Sequence, residues 1–131
     1  MRRTNLGIVL LVAGSALALM AWAQQQQPSY ARDIEPIFVK ECFDCHNPDN
    51  PKKGLDLSKD KGYKALLNVK SQEVEMPLLK PGDPAGSYLW LKLMHTATQG
   101  KGMPRTIFGE KKLHTEHLDL IKTWIVAGAE P

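Results

Sequence analysis

The chain has 131 residues, with 17 Lys and Arg against 14 Asp and Glu, 43% hydrophobic residues and two cysteines. That length suits one small domain and excludes a multidomain enzyme. The excess positive charge is small and gathers into no basic block or helix, which leaves nucleic-acid binding without an electrostatic footprint.

Arg2 and Arg3 precede an uncharged, mostly apolar run from Leu6 to Ala23 that closes on Ala21-Trp22-Ala23. A charged start, an apolar middle and a small-residue end predict a secretory signal peptide over residues 1–23. Cleavage after Ala23 would remove both arginines, and with them two of the three excess positive charges. Left uncleaved, the same run is close to the length that spans a bilayer and would act as an N-terminal anchor. Both outcomes place the rest of the chain outside the cytoplasm, as an exported or periplasmic protein, and only the uncleaved form touches a membrane.

Residues 24–29, four glutamines followed by Pro28 and Ser29, read as a polar tether. The domain is expected over 30–131. Its first helix opens at Asp33 and carries Ile34, Ile37 and Phe38 on one face toward Cys42; Pro36 is tolerated in the first turn, where no intrahelical donor is lost. From Asn47 to Lys61 the chain is rich in Pro, Asp, Asn, Lys and Gly and reads as a loop. A short helical turn follows around Tyr63 to Leu67. Asp83-Pro84 predicts the start of a largely buried helix through Tyr88, Leu89, Trp90, Leu91, Leu93 and Met94. Thr96 to Gly109 reads as a loop. Thr115 caps a final helix with Leu118, Ile121, Trp124 and Ile125 at helical spacing, ended by Gly128. Helices joined by long loops, without strand-like alternation or an internal repeat, predict an all-α fold.

The most informative segment is Cys42-Phe43-Asp44-Cys45-His46. Cys-x-x-Cys-His is the attachment signature of a c-type haem. On one helical turn, thiols at i and i+3 can each add to a haem vinyl group, while the adjacent histidine reaches the iron. A haem-free thiol–disulfide protein using Cys42 and Cys45 is the competing reading, but a thioredoxin-like motif needs a βαβ setting that the chain lacks. A zinc site would need further well-spaced ligands. Covalent haem also supplies a centre for a loop-rich chain with a thin core.

A six-coordinate iron needs a second axial ligand, for which the sequence offers Met76, Met94, Met103, His95, His114 and His117. Met103 is favoured. It stands in Gly100-Lys101-Gly102-Met103-Pro104, where glycine permits close backbone approach and the following proline biases Met103 toward an extended conformation. The ligating His46 also needs an acceptor for its second ring N–H, and the Asn47 to Gly54 loop is the nearest source of free carbonyls. Lys101 and Arg105 bracket the ligand loop. Tyr88, Trp90 and Trp124 are candidates for the pocket wall, although helical spacing explains them equally as core.

These segments together resemble the cytochrome c superfamily and, more narrowly, its planctomycete-type cytochrome c domain. The resemblance rests on Asp33-Ile34-Glu35-Pro36-Ile37-Phe38 ahead of the Cys42–His46 motif, then Gly54-Leu55-Asp56-Leu57, Pro81-Gly82-Asp83-Pro84 with Ser87, Met103-Pro104, and Ile121-Lys122-Thr123-Trp124-Ile125 with Gly128-Ala129. It implies a small helical domain wrapped around one covalent haem c, with terminal helices packed together. Cys42 and Cys45 would be the anchors, His46 the proximal iron ligand and Met103 the distal one.

The function expected on these grounds is single-electron transfer between redox partners, such as a dehydrogenase and an oxidase, rather than catalysis. A cytochrome subunit of a dehydrogenase complex is a variant of that reading. A haem enzyme or gas-binding protein with an open sixth site is the alternative within the same cofactor class.

Overall fold

The computed structural model describes residues 27–131. The expected signal peptide and the first residues of the expected tether lie outside the described residues. A π-helical turn over Tyr30–Ile34 runs directly into α1 (Glu35–Glu41), followed by α2 (Gly62–Leu66), α3 (Tyr88–Met94) and α4 (Thr115–Val126). Among the described residues no helix is long and apolar enough to cross a membrane.

The expected all-α fold is corrected by two short antiparallel ladders. β1 (His46–Asn47) pairs with β2 (Asn50–Pro51), with His46 opposite Pro51. β3 (Arg105–Thr106) pairs with β4 (Gly109–Glu110), with Arg105 opposite Glu110. Strands of two residues are too short for alternation to register, and both ladders fall largely within the stretches that read as loops. In the first hairpin the Asn47 side chain sets the turn: its Oδ1 accepts from Asp49 N–H at 3.1 Å and Asn50 N–H at 2.9 Å. This is an Asx turn, the local alternative that Asn offers the backbone.

The first helical segment starts earlier than Asp33. Ser29 is the N-cap, its hydroxyl accepting from Arg32 N–H, and Asp33 reaches back to accept the Ser29 N–H at 2.8 Å. Asp33 therefore closes the cap from inside the helix instead of opening it. The start of α3 is also displaced. Asp83 accepts from Gly86 N–H at 2.9 Å in a tight turn, and the helix begins only after Ser87. Ser87 is fully buried; its hydroxyl accepts from Lys80 N–H at 2.9 Å and donates to Asp83 O at 2.8 Å. A polar side chain used in this way stitches the turn and makes no helix cap. At α4 the N-cap position is His114, and Thr115 is the first helical residue.

The core lies where the π-turn and α1 meet α4. Ile34, Phe38, Ile121, Trp124 and Ile125 have no exposed surface, and the Tyr30 ring packs on Trp124 with centroids 5.6 Å apart. Hydrogen bonds to one carbonyl close the two ends of the domain on each other: Tyr30 N–H donates to Glu130 O at 3.0 Å, and the Trp124 side-chain Nε1–H donates to the same oxygen at 2.7 Å. From this core α1 leads the chain to Cys42, which packs against the edge of the same cluster.

Candidate functional site

α1 ends at Glu41, and Cys42 is its C-cap, donating its N–H to Phe38 O at 2.9 Å. The next turn winds on the Cys42 carbonyl, which accepts from Cys45 N–H at 3.1 Å and His46 N–H at 3.0 Å. Both cysteines are therefore carried on one turn. Asn47, unremarked in the sequence, fastens this turn to the hairpin: its Nδ2 donates to Phe43 O at 3.0 Å while its Oδ1 holds the β1–β2 turn. His46 is fixed at its backbone as well, because its carbonyl accepts from Leu57 N–H at 2.8 Å.

The His46 ring has a defined orientation. Nδ1 lies 3.2 Å from Leu55 O; a carbonyl can only accept, so Nδ1 carries the proton and Nε2 is left with its lone pair free. The acceptor is one residue beyond the Asn47 to Gly54 loop in which it was sought. Burial holds the imidazole below the ordinary histidine range; the Leu55 carbonyl opposes this, and the Lys52 and Lys92 charges add to it. The neutral ring is the form that ligates metal.

Cys42, Cys45, His46 and Met103 all line one cavity of about 550 Å³, within the range of about 300–1,000 Å³ that holds cofactor-sized ligands. Leu55, Leu57, Leu66, Leu78, Leu89 and Leu93 supply apolar lining, and Lys52, Lys53, Lys101 and Arg105 bring cationic groups to it. Of the other candidate ligands, Met76, Met94, His95, His114 and His117 are absent from this lining. Tyr88 is on the wall. Trp124 belongs to the core, and Trp90 packs partly buried against it.

Met103 reaches the cavity from the loop that follows α3. Its N–H donates to Lys92 O at 2.9 Å, so the loop is tied back to the helix it has just left. Gly102 matters for its lack of a side chain, because a Cβ there would overlap the His95 ring. The glycine allows close approach of the loop to His95 at the end of α3, and not to the cofactor as its sequence setting suggests.

A polar cluster on the same wall escaped the sequence reading. Lys92 is buried, with Nζ 3.2 Å from Glu73 Oε2, and the Tyr88 hydroxyl donates to that oxygen at 3.0 Å. Burial alone would raise the Glu73 carboxyl. The bonds from Lys92 and Tyr88, with the charges of Lys92 and Lys53, outweigh it and hold the group below the usual carboxylate range.

The donor set fits a covalently held haem: two thiols on one turn, an imidazole with Nε2 free, and a thioether from a distant segment on the same largely apolar cavity. It fits thiol–disulfide exchange poorly. Burial, with the charges of Glu41 and Cys45, pushes the Cys42 thiol up to about 12, whereas exchange requires an accessible thiolate.

Residues 42–105 match the family described as Planctomycete cytochrome C. No curated protein and no solved structure matches. The matched segment is narrower than the resemblance drawn from Tyr30 to Pro131, but it begins at the first cysteine and extends two residues past Met103. Motif, cavity wall and family match thus coincide on residues 42–105, a segment similar to the planctomycete cytochrome C family.

Proposed function

We propose that the protein is an exported, periplasmic c-type cytochrome that holds one haem c and passes single electrons between redox partners. Cys42 and Cys45 are the covalent anchors, His46 Nε2 is the proximal iron ligand and Met103 Sδ the distal one. The haem supplies reversible one-electron exchange at its iron when bound.

The residues of the chain do the rest. The Leu55 carbonyl orients the His46 ring and keeps Nε2 aimed away from the backbone it bonds. Leu57, Leu66 and Leu89 limit water at the cavity wall, and a dry pocket with a thioether ligand favours the less charged ferrous state and so a higher potential.

The observation that carries this reading is the convergence of Cys42, Cys45, His46 and Met103 on one cavity, from segments more than fifty residues apart in sequence. Expression with a c-haem maturation system tests it. The expected product keeps haem after denaturation and shows, when oxidised, the weak far-red band of methionine sulfur on ferric haem. Haem without that band would favour the open-site alternative, and a haem-free product would overturn the proposal.

A further inference from the structure

Met103 is fastened to the end of α3 at both of its backbone polar groups. Its N–H donates to Lys92 O at 2.9 Å, and its carbonyl accepts from His95 Nε2–H at 3.2 Å. His95 is the C-cap of α3 and takes the left-handed conformation, φ 61°, which is uncommon for a residue with a side chain. Its other ring nitrogen, Nδ1, faces Glu110 Oε2 at 3.4 Å. The second oxygen of that carboxylate accepts Gly102 N–H at 2.8 Å.

These contacts make a closed circuit. Glu110 on β4 grips the backbone just before Met103 and backs the ring that grips the backbone just after it. Gly102 completes the fit, since a Cβ at this position would meet the ring. With both its amide and its carbonyl occupied, Met103 retains only its side chain as a free element, and that side chain is on the cavity wall. His95 is largely buried and does not itself line the cavity, so its place in the site is behind the methionine.

We propose that His95, backed by Glu110, is a positioning residue that holds the Met103 thioether at the sixth coordination site of the iron. The proposal rests on Met103 being that ligand. A thioether is a neutral, monodentate donor that competes with water and with nearby amines such as Lys101, so a backbone fixed beforehand decides whether it stays bound.

The test uses the haem-loaded full chain and reads the far-red band of the ferric form and the midpoint potential, at a temperature where circular dichroism shows each variant fully folded. Wild type is expected to show the band. His95→Ala should lose more than half of its intensity and lower the potential while haem stays attached. His95→Gln, which keeps an N–H for the Met103 carbonyl, should recover band intensity relative to His95→Ala.

Glu110→Ala changes a more exposed group and should show a partial loss, keeping the question open to measurement should His95→Ala fail to fold. Full band and wild-type potential in folded His95→Ala, or in Glu110→Ala if only that variant folds, would overturn the positioning role and leave the ligand assignment standing. Absence of the band from wild type would overturn both, which separates the two failures.

Discussion

Lys92 and Glu73 form an ion pair 3.2 Å long on the wall of the cavity, with the Lys92 side chain only 9% exposed. The pair joins α3 to the segment after α2. The ammonium also lies over the Tyr88 ring, 5.2 Å from its centroid. Removing Lys92 leaves the partly exposed Glu73 carboxylate with the Tyr88 hydroxyl and the Lys53 ammonium as its remaining partners and deletes one charge-assisted bond. Lys92→Met keeps the apolar stem and deletes the charge. It is expected to destabilise the fold by about 1–3 kcal/mol, measured by denaturant unfolding of wild type and variant side by side.

Glu73 gives the pair a pH dependence whose sign follows from its lowered carboxyl pKa. A group with a depressed folded value stabilises the native state above its ordinary value, here 4.5, and loses that contribution as pH falls through the folded value. Stability of wild type should therefore decline on acidification below about pH 4.5, partly through Glu73. Glu73→Gln should be less stable than wild type at neutral pH and show a shallower acid limb. Parallel acid limbs in thermal melts from neutral pH down to pH 3 would exclude Glu73 from this role.

Met103→Ala tests the distal ligand directly. The variant should keep its haem through denaturation, lose the far-red band and show a lower midpoint potential, because the thioether that favours ferrous iron is gone. An unchanged spectrum and potential would exclude Met103 and return the assignment to the remaining methionines and histidines.

Replacement of both Cys42 and Cys45 by Ala separates covalent attachment from axial ligation. The double variant is expected to yield no haem-staining band on a denaturing gel, since no thioether can form. A band that survives would show that neither cysteine is an anchor.

The parts of this molecule legible in its sequence are those whose cause is local. The Cys42–His46 turn, the apolar face of α1, the short α2 and the spacing of α4 each follow from residues within one or two turns of one another. Met103 could be singled out because its glycines and proline are its immediate neighbours. The ladders could not, since two paired residues have no periodicity to read.

The start of α3 misled because Asp83-Pro84 is a sound helix opening in isolation; burial of Ser87 against Lys80 and Asp83 diverts the chain into a separate turn. Lys92 and Glu73 are 19 residues apart, so each reads alone as a solvated charge. His95 likewise reads as a helix-end histidine, and only the folded chain brings Glu110 and the Met103 carbonyl to its two nitrogens.

Asn47 is the remaining residue whose function is structural and testable. Its Oδ1 closes the β1–β2 turn and its Nδ2 donates to Phe43 O, so one side chain links the cysteine-bearing turn to the hairpin that starts at His46. Asn47→Ala removes all of these bonds and frees the Asp49 and Asn50 N–H donors and the Phe43 carbonyl, which water can partly satisfy because the turn is largely exposed. A cost of about 0.5–1.5 kcal/mol per net hydrogen bond applies to each bond that water does not replace, which predicts a lowered melting temperature for the haem-free protein. The same loosening should reach His46, whose backbone lies in β1. Haem-loaded Asn47→Ala is expected to retain both thioether bonds and show a broadened Soret band, as the imidazole samples more than one orientation. A variant with wild-type melting temperature and an unbroadened band would mean that the Leu57 and Leu55 contacts alone hold His46 in place.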